Sequence, residues 1–311
     1  MIAGIDIGGT TTKIGLVKDH AVIARSRILT TGHADEHAFA GAITTEIGRL
    51  TTDNGNPISA AGIGAPNGNQ LTGSIEQAPN LPWKNEVPLA RMLSERLNVP
   101  CTLGNDANAA ALGEWKYGAG RGCDDLLVVT LGTGLGSGFI VNGQLLLGPF
   151  GNAGELGHVI TVIDGRPCTC GRKGCLEAYV SIRGMRQTYL ELADSAELLK
   201  AEGVKPIAEA ALRGEDAAVQ TFRDTARWLS VGLANAVAHT CPERIILFGG
   251  IARSGDVLMN PLKHMFNEVL LNIYRGKVEL LLSGLPEDDA GILGAAALAQ
   301  SPETSPTGIS D

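Results

Sequence analysis

The chain has 311 residues, of which 44% are hydrophobic and 19% are charged, so it is long enough for two globular domains and is not expected to be disordered. Its formal net charge of −8 argues against binding to nucleic acid or to an anionic membrane, and favours a small neutral substrate. The sequence opens without a secretory signal and contains no apolar run of about 18 residues, which predicts a cytosolic enzyme.

The first 30 residues predict three strands, at 2–7, 12–18 and 21–29, with a glycine turn after the first. The motif DIGGTTTKIG begins at Asp6. Its glycines and threonines allow backbone amides and hydroxyls to approach a polyphosphate, and Asp6 could hold a hydrated Mg²⁺. The alternative is a plain glycine hairpin with an incidental acidic residue.

Two loops rich in proline and asparagine follow. A helix is predicted at 34–50, a strand at 58–66 and a helix at 88–97, with the loops APNGN and APNLPW after the strand. Asn67 and Asn80 in these loops could bind hydroxyl groups through their amides. Asparagine beside proline is, however, first of all a turn former.

A short strand from residue 99 leads into an alanine-rich helix that begins at Asn105 and Asp106. Both residue types are preferred helix caps, which is the structural alternative. The helix start also follows the end of a strand, where α/β sheets place ligands, so Asp106 could act as a general base. We expect the helix dipole to lower the pKa of Asp106 and keep it ionised.

Residues 124–138 repeat the pattern of an apolar strand followed by a glycine turn, which predicts an internal duplication. The turn LGTGLGSG is not a dinucleotide fingerprint, because Ser137 stands where a glycine is needed, and the chain has no Walker motif. Any nucleotide is therefore expected to be held by two glycine turns from two domains. Further elements are predicted as helices at 181–192, 206–213, 216–239 and 290–299, strands at 244–248 and 278–282, and a disordered tail rich in serine and proline.

Residues 151–177 combine two carboxylates, a histidine and three cysteines. The C-x-C-x₄-C spacing of Cys168, Cys170 and Cys175, with His158 upstream, predicts a structural Cys₃His zinc site. Reduced thiols or a surface disulfide are the alternatives, and the missing secretory signal favours zinc. The metal would direct Glu155 and Glu177 towards the hydroxyl groups of a polyol, since charge-assisted hydrogen bonds are strong.

The motifs DIGGTTTKIG, GAPNG, NDAN, LGTGLGSG, GELGH and CTCGRKGCLE, in this order, resemble the ROK family of sugar kinases and related repressors. The resemblance covers nearly the whole chain and is closest to the family's bacterial glucokinases. It implies an α/β, actin-like ATPase fold, hexokinase-like and duplicated, with a zinc-bound loop. The implied domains are a small one at 1–118, joined by the helix at 290–300, and a large one at 119–289 that carries the zinc loop.

The resemblance also implies a role for each matching residue. Asp106 is the implied catalytic base, and Gly249 and Gly250 are implied to lie near the adenosine. The implied ligands of the ATP phosphates and Mg²⁺ are Asp6, Gly8, Gly9, Thr10, Thr11, Lys13, Gly132, Thr133 and Gly134. The implied sugar ligands are Asn105, Asp106, Glu155, His158 and Glu177, with Asn67 and Asn80 as further candidates, and the implied zinc ligands are His158, Cys168, Cys170 and Cys175. The loop GAPNG departs from the family pattern, because Asn67 stands where glycine is usual.

The implied activity is the ATP-dependent phosphorylation of a hexose at its 6-hydroxyl, with glucose as the expected substrate and with Mg²⁺ and structural Zn²⁺ as cofactors. N-acetylmannosamine and fructose are the alternative substrates. A sugar-responsive repressor is the alternative from another class. It would need a helix-turn-helix ahead of the first strand, which here begins at Ile2. We expect no nucleic-acid or membrane partner, and a homodimer.

Overall fold

The computed structural model describes residues 1–78, 80–83 and 85–300. Pro79 in the predicted loop 78–83 and the predicted tail beyond residue 300 lie outside the described residues. The chain divides into two compact units, one made of residues 1–121, 145–153 and the chain from Gly284 onward, the other of residues 122–144 and 154–283. The segment 145–153, which falls inside the predicted large domain, groups with the first unit.

The first unit is built on a five-stranded sheet with the order β3-β2-β1-β4-β7. Its strands are β1 (Ile2–Ile7), β2 (Thr11–Lys18), β3 (Ala21–Leu29), β4 (Ala60–Ala65) and β7 (Cys101–Asn105), with β5 (Gly68–Asn69) and β6 (Ser74–Ile75) forming a separate ribbon. The first three strands are antiparallel, whereas β1, β4 and β7 run parallel. The carboxyl ends of the three parallel strands therefore meet at one edge.

Within the described residues, the helices of the first unit are α1 (Glu36–Asn54), α2 (Leu89–Leu97), α3 (Asp106–Tyr117) and α9 (Ala290–Leu298). α1 begins two residues later than predicted because the side chain of Asp35 caps it, accepting from the Ala38 amide at 2.7 Å. α9 lies directly on the sheet, since a Cβ on Gly62 would lie 1.8 Å from the carbonyl oxygen of Ala295. Apolar residues of β1, β4, α1 and α2 form the core.

The second unit repeats this topology, with the strand order β10-β9-β8-β11-β12. The strands are β8 (Leu126–Leu131), β9 (Leu135–Val141), β10 (Gln144–Leu145), β11 (Arg244–Phe248) and β12 (Glu279–Leu282). β8 pairs antiparallel with β9 and parallel with β11, which pairs parallel with β12. Since β1 pairs in the same way with β2 and β4, the two sheets share one plan, as the predicted duplication requires.

The helices of the second unit are α4 (Glu177–Val180), α5 (Ile182–Leu192), α6 (Lys205–Leu212), α7 (Asp216–Thr240) and α8 (Asp256–Val269). The sequence pattern did not predict α8, because Pro261 in its second turn reads as a helix breaker. α8 nevertheless buries Leu258, Leu262 and Phe266 in the core of this unit. In the part of the chain that the structure describes, no helix has the length and apolar composition needed to cross a bilayer.

Candidate active site and metal centre

Two acidic residues lie at the carboxyl edge of the first sheet. Asp6 is the penultimate residue of β1 and stands opposite Gly64 of β4, whose neighbour Ala65 stands opposite Asn105 of β7. Asp106 follows Asn105 directly and starts α3. The fold thus brings together Asp6 and Asp106, which are 100 positions apart in the sequence.

Asp6 is half-buried and lies against the start of α9. A Cβ on Gly291 would lie 2.1 Å from its carboxylate oxygen, so only glycine leaves room for it there. Desolvation raises the pKa of Asp6 to about 6, with Lys13 lowering it and Asp106 raising it further. This carboxylate therefore sits where a bound cation would be favourable, which fits the predicted role in holding Mg²⁺.

Asn105 and Asp106 form the N-terminal cap of α3. The Ala107 amide donates to Asn105 Oδ1 at 2.8 Å and to Asp106 Oδ1 at 2.9 Å, so the predicted cap is confirmed. The predicted lowering of the Asp106 pKa is wrong. Although the residue is accessible to solvent, desolvation by the surrounding protein raises its pKa and outweighs the two backbone donors, Ala107 and its own amide. A raised pKa lies closer to neutrality, as a general base needs.

The glycine turn between β1 and β2 is tied to the end of β3. The Gly8 amide donates to the Thr11 carbonyl at 3.0 Å, and Thr30 Oγ1 donates to the Gly8 carbonyl at 2.7 Å. Asn80 lies against this turn, because its carbonyl oxygen is 3.0 Å from where a Cβ on Gly9 would stand. The structure thus places Asn80 beside the predicted phosphate turn, and Thr30 is a supporting residue that the sequence did not indicate.

Asn67 has a left-handed backbone (φ 51°), and its amide nitrogen donates to the Glu76 carbonyl at 3.0 Å. Its side chain therefore serves the turn, as the turn interpretation predicts, and leaves the amide oxygen for other partners. Nearby, the buried Asn69 donates to the Phe150 carbonyl at 3.0 Å. This bond is one of the contacts between segment 145–153 and the rest of the first unit.

The second unit presents two glycine turns at neighbouring strand ends. In the turn after β8 the Gly132 amide donates to the Gly134 carbonyl at 3.0 Å, while Thr133 between them is exposed. After β11, Gly249 adopts φ 101° and approaches the carbonyl of Leu131 so closely that a Cβ would lie 2.5 Å from it. The turns at 132–134 and 249–250 are therefore adjacent.

Glu177 connects the first of these turns to the cysteine loop. One carboxylate oxygen accepts from the Leu135 amide at 2.9 Å, and the other accepts from the Thr169 hydroxyl at 3.2 Å. A Cβ on Gly134 would lie 2.6 Å from the carboxylate, so glycine at 134 is needed for this approach. The predicted sugar ligand is thus fixed by residues on both sides.

Glu155 is exposed, and among the described residues its carboxylate has no hydrogen-bond partner. The buried Ser137 fixes the backbone on both sides of it: its hydroxyl donates to the Gly154 carbonyl and accepts from the Leu156 amide at 3.2 Å. Ser137, noticed in the sequence only because it breaks a dinucleotide motif, therefore holds Glu155 in place with its carboxylate open to a ligand.

The four predicted zinc ligands form one cluster. Their donor atoms all lie within 4.8 Å of one another, with 3.6 Å between the sulfurs of Cys170 and Cys175 and 3.7 Å between Cys168 Sγ and His158 Nδ1. Zinc bonds of about 2.0–2.3 Å in a tetrahedron separate neighbouring ligand atoms by roughly 3.4–3.8 Å, so the donor set fits zinc. Arg172 supports the cluster by donating to the His158 carbonyl at 2.8 Å.

His158 was predicted to serve both the metal and the sugar. Its Nδ1 faces Cys168 in the cluster. The two ring nitrogens are chemically distinct, so Nε2 is left for a second partner. The two predicted roles are therefore compatible in one side chain.

The ROK family profile matches residues 2–302. A glucokinase from Streptomyces coelicolor A3(2) is 35% identical to the chain, with 96% of this chain and 98% of that protein covered. The chain belongs to the ROK family, and the predicted actin-like α/β fold is confirmed.

Two further relatives mark the range of the family. The crystal structure of a ROK family glucokinase from Streptomyces griseus in complex with glucose and AMPPNP superposes with a TM-score of 0.79 at 34% identity, covering 96% of this chain and 99% of that one. A xylose repressor from Caldicellulosiruptor bescii is 31% identical over 78% of this chain and 62% of its own length. Kinases and repressors thus share this fold.

Proposed function

We propose that the protein is an ATP-dependent hexose kinase that phosphorylates glucose at its 6-hydroxyl. The observation that carries this proposal is the pair Asp6 and Asp106 at one sheet edge, with the glycine turn 8–11 beginning two residues after Asp6. Full-length similarity to glucokinases supports it.

Asp106 is the proposed base. Its carboxylate accepts the proton of the 6-hydroxyl as the sugar oxygen forms a bond to the γ-phosphorus and the bond from that phosphorus to the β–γ bridging oxygen breaks. ADP leaves with the bridging oxygen, and the phosphoryl group stays on the sugar. Since the transition state of phosphoryl transfer needs mainly positioning and charge neutralisation, one base and fixed donors suffice.

The glycine turns are the proposed phosphate ligands. Gly8 to Thr11 and Gly132 to Gly134 offer backbone amides and threonine hydroxyls, with Lys13 as a nearby cation, and Gly249 and Gly250 would lie near the adenosine. Mg²⁺ would be held by Asp6 and would neutralise phosphate charge.

The sugar would be bound by acceptors that fit its hydroxyl groups. Glu155 and Glu177 supply carboxylates, and Asn105 and His158 supply neutral polar atoms, with Asn67 and Asn80 as further candidates. A carboxylate deprived of its hydroxyl partner costs about 1–3 kcal/mol or more, so deoxy sugars should bind less well. A neutral hexose should also be preferred to an acidic one.

A coupled assay for ADP release across glucose, mannose, fructose, N-acetylglucosamine and N-acetylmannosamine tests the proposal. We expect the highest kcat/KM with glucose. A higher value with N-acetylmannosamine or fructose would replace glucose by that sugar but keep the kinase. No ADP release with any of the sugars, combined with sugar-dependent binding to DNA, would favour a repressor instead.

A further inference from the structure

A carboxylate outside the proposed site lies fully buried near the end of α3. Glu114 is two turns after Asp106 on this helix, and none of its surface is exposed. Its Oε2 accepts from the Ala119 amide at 2.9 Å and from the Gly284 amide at 3.2 Å. One oxygen atom thus joins two chain segments that are 165 positions apart in the sequence.

These two segments adjoin the helices α3 and α9, whose first residues lie at the acidic site. Ala119 follows the C-terminus of α3, which begins at Asp106, and Gly284 lies six residues before the start of α9, which begins beside Asp6. The two hydrogen bonds to Glu114 therefore connect the C-terminal end of α3 to the segment that leads into α9.

The packing between α3 and α9 leaves little room for adjustment. A Cβ on Gly113 would lie 2.9 Å from the Cα of Gly294, so the two backbones touch next to Glu114. A Cβ on Gly118 would likewise lie 2.0 Å from the Glu114 carboxylate. Close-packed interiors have low compressibility and transmit strain, so a shift at this end of α3 is expected to reach Asp106 at the other end of the helix.

We propose that Glu114 is a positioning residue for phosphoryl transfer, which locks α3 to the segment before α9 and so sets the placement of Asp106 relative to Asp6. The inference rests on the proposed kinase function. A misplacement of about 1 Å at the reacting groups can cost roughly 100-fold in rate, so a remote clamp has a measurable effect.

Two variants and one control test the proposal. Glu114→Gln keeps an acceptor oxygen on a side chain of the same length, whereas Glu114→Ala removes the acceptor. Tyr117→Phe is the matched control, because it also deletes a contact near the end of α3, the hydrogen bond from the Tyr117 hydroxyl to Gln300 at 3.0 Å. All three are compared well below their melting temperatures, so that only folded protein is measured.

We expect kcat to fall by about 10–100-fold in Glu114→Ala and by less in Glu114→Gln, with the KM for the sugar within about twofold of wild type. Tyr117→Phe should keep wild-type kcat. A Glu114→Ala enzyme with wild-type kcat, or with a raised KM and unchanged kcat, would overturn the proposal.

Hydrogen exchange at the start of α3 gives a readout that does not depend on activity. The Ala107 amide, held by the Asn105 and Asp106 side chains, should exchange faster in Glu114→Ala than in wild type or Tyr117→Phe. If the Ala107 amide exchanges at the wild-type rate in Glu114→Ala, the proposed positioning role of Glu114 is overturned, whatever the value of kcat. If the wild type phosphorylates no sugar while Ala107 exchanges faster in Glu114→Ala, the proposed function has failed and the clamp within the unit stands.

Discussion

The two units organise their polar sites in opposite ways. In the first unit, Asp6 and Asp106 are placed by strand register and by the starts of two helices, and the elements around them are held by main-chain contacts. In the second, Glu177 and His158 depend on a loop whose four donor atoms converge on one point. A site built from packed backbone keeps its shape without a ligand, whereas a loop whose four donor atoms converge on one point would be shaped by the metal bound there. The comparison predicts that a substitution that disrupts one site leaves the structure of the other site intact.

The largest expected effect is on turnover in the first unit. Asp106→Asn keeps the side-chain oxygen that caps α3 but cannot accept a proton, so turnover should fall by about 10²–10⁴-fold. Steady-state kinetics with glucose and ATP measure this. A loss of less than about tenfold would mean that Asp106 is only a helix cap.

The next effect concerns stability and its dependence on pH. Burial raises the pKa of Asp6 from 3.8 to about 6. Ionisation of Asp6 therefore destabilises the folded state, and at pH values above the folded pKa the loss of stability is about 3 kcal/mol. Because the folded form binds the proton more tightly, this cost appears as pH rises from 3.8 to about 6 and is absent below 3.8.

Asp6→Asn should therefore raise the free energy of unfolding at pH 8, and the gain should vanish at a pH below 3.8. Urea unfolding at both pH values measures it. A gain that is equal at the two pH values would show that the ionisation of Asp6 is not its cause.

The third effect lies in the second unit. Cys170→Ser, or treatment with a strong chelator, should remove zinc and raise the KM for the sugar by roughly 10–100-fold, because Glu177 and His158 lose their support. Cys241→Ser is the matched control, since Cys241 is exposed and lies outside the cluster.

Elemental analysis and sugar kinetics on both cysteine variants check this prediction. The fold of the first unit should be unaffected in each. Wild-type protein without zinc at about one ion per chain, or a Cys170→Ser variant with unchanged KM, would contradict the dependence on metal.

Local patterns predicted much of this molecule. The strand ends at Asp6 and Asn105 and the cysteine spacing are short-range signals, and the structure confirms the strands and brings the four metal-ligand candidates together. Thr30, Ser137 and Glu114 could not be found in this way. Each of them has a hydrogen-bond partner 17 to 170 positions away, so its role exists only once the chain is folded.

The pKa of Asp106 shows the same limit. The helix dipole is visible in the sequence and predicts a lower pKa, but desolvation depends on every element packed around the carboxyl group and reverses the direction. Helix α8 was missed for a related reason: Pro261 argues locally against a helix, whereas Leu258, Leu262 and Phe266 stabilise it through the core.

The central proposal is that Asp106 of the first unit performs the chemistry, while most of the binding energy for the sugar comes from Glu155, Glu177 and His158 around the metal loop of the second unit. Calorimetric titration of glucose into Asp106→Asn and into Cys170→Ser tests it most directly. We expect Asp106→Asn to bind glucose with a Kd within about threefold of wild type, and Cys170→Ser to bind it at least about tenfold more weakly. Wild-type affinity in Cys170→Ser together with lost affinity in Asp106→Asn would contradict the account, because the sugar would then depend on the sheet edge and not on the metal loop.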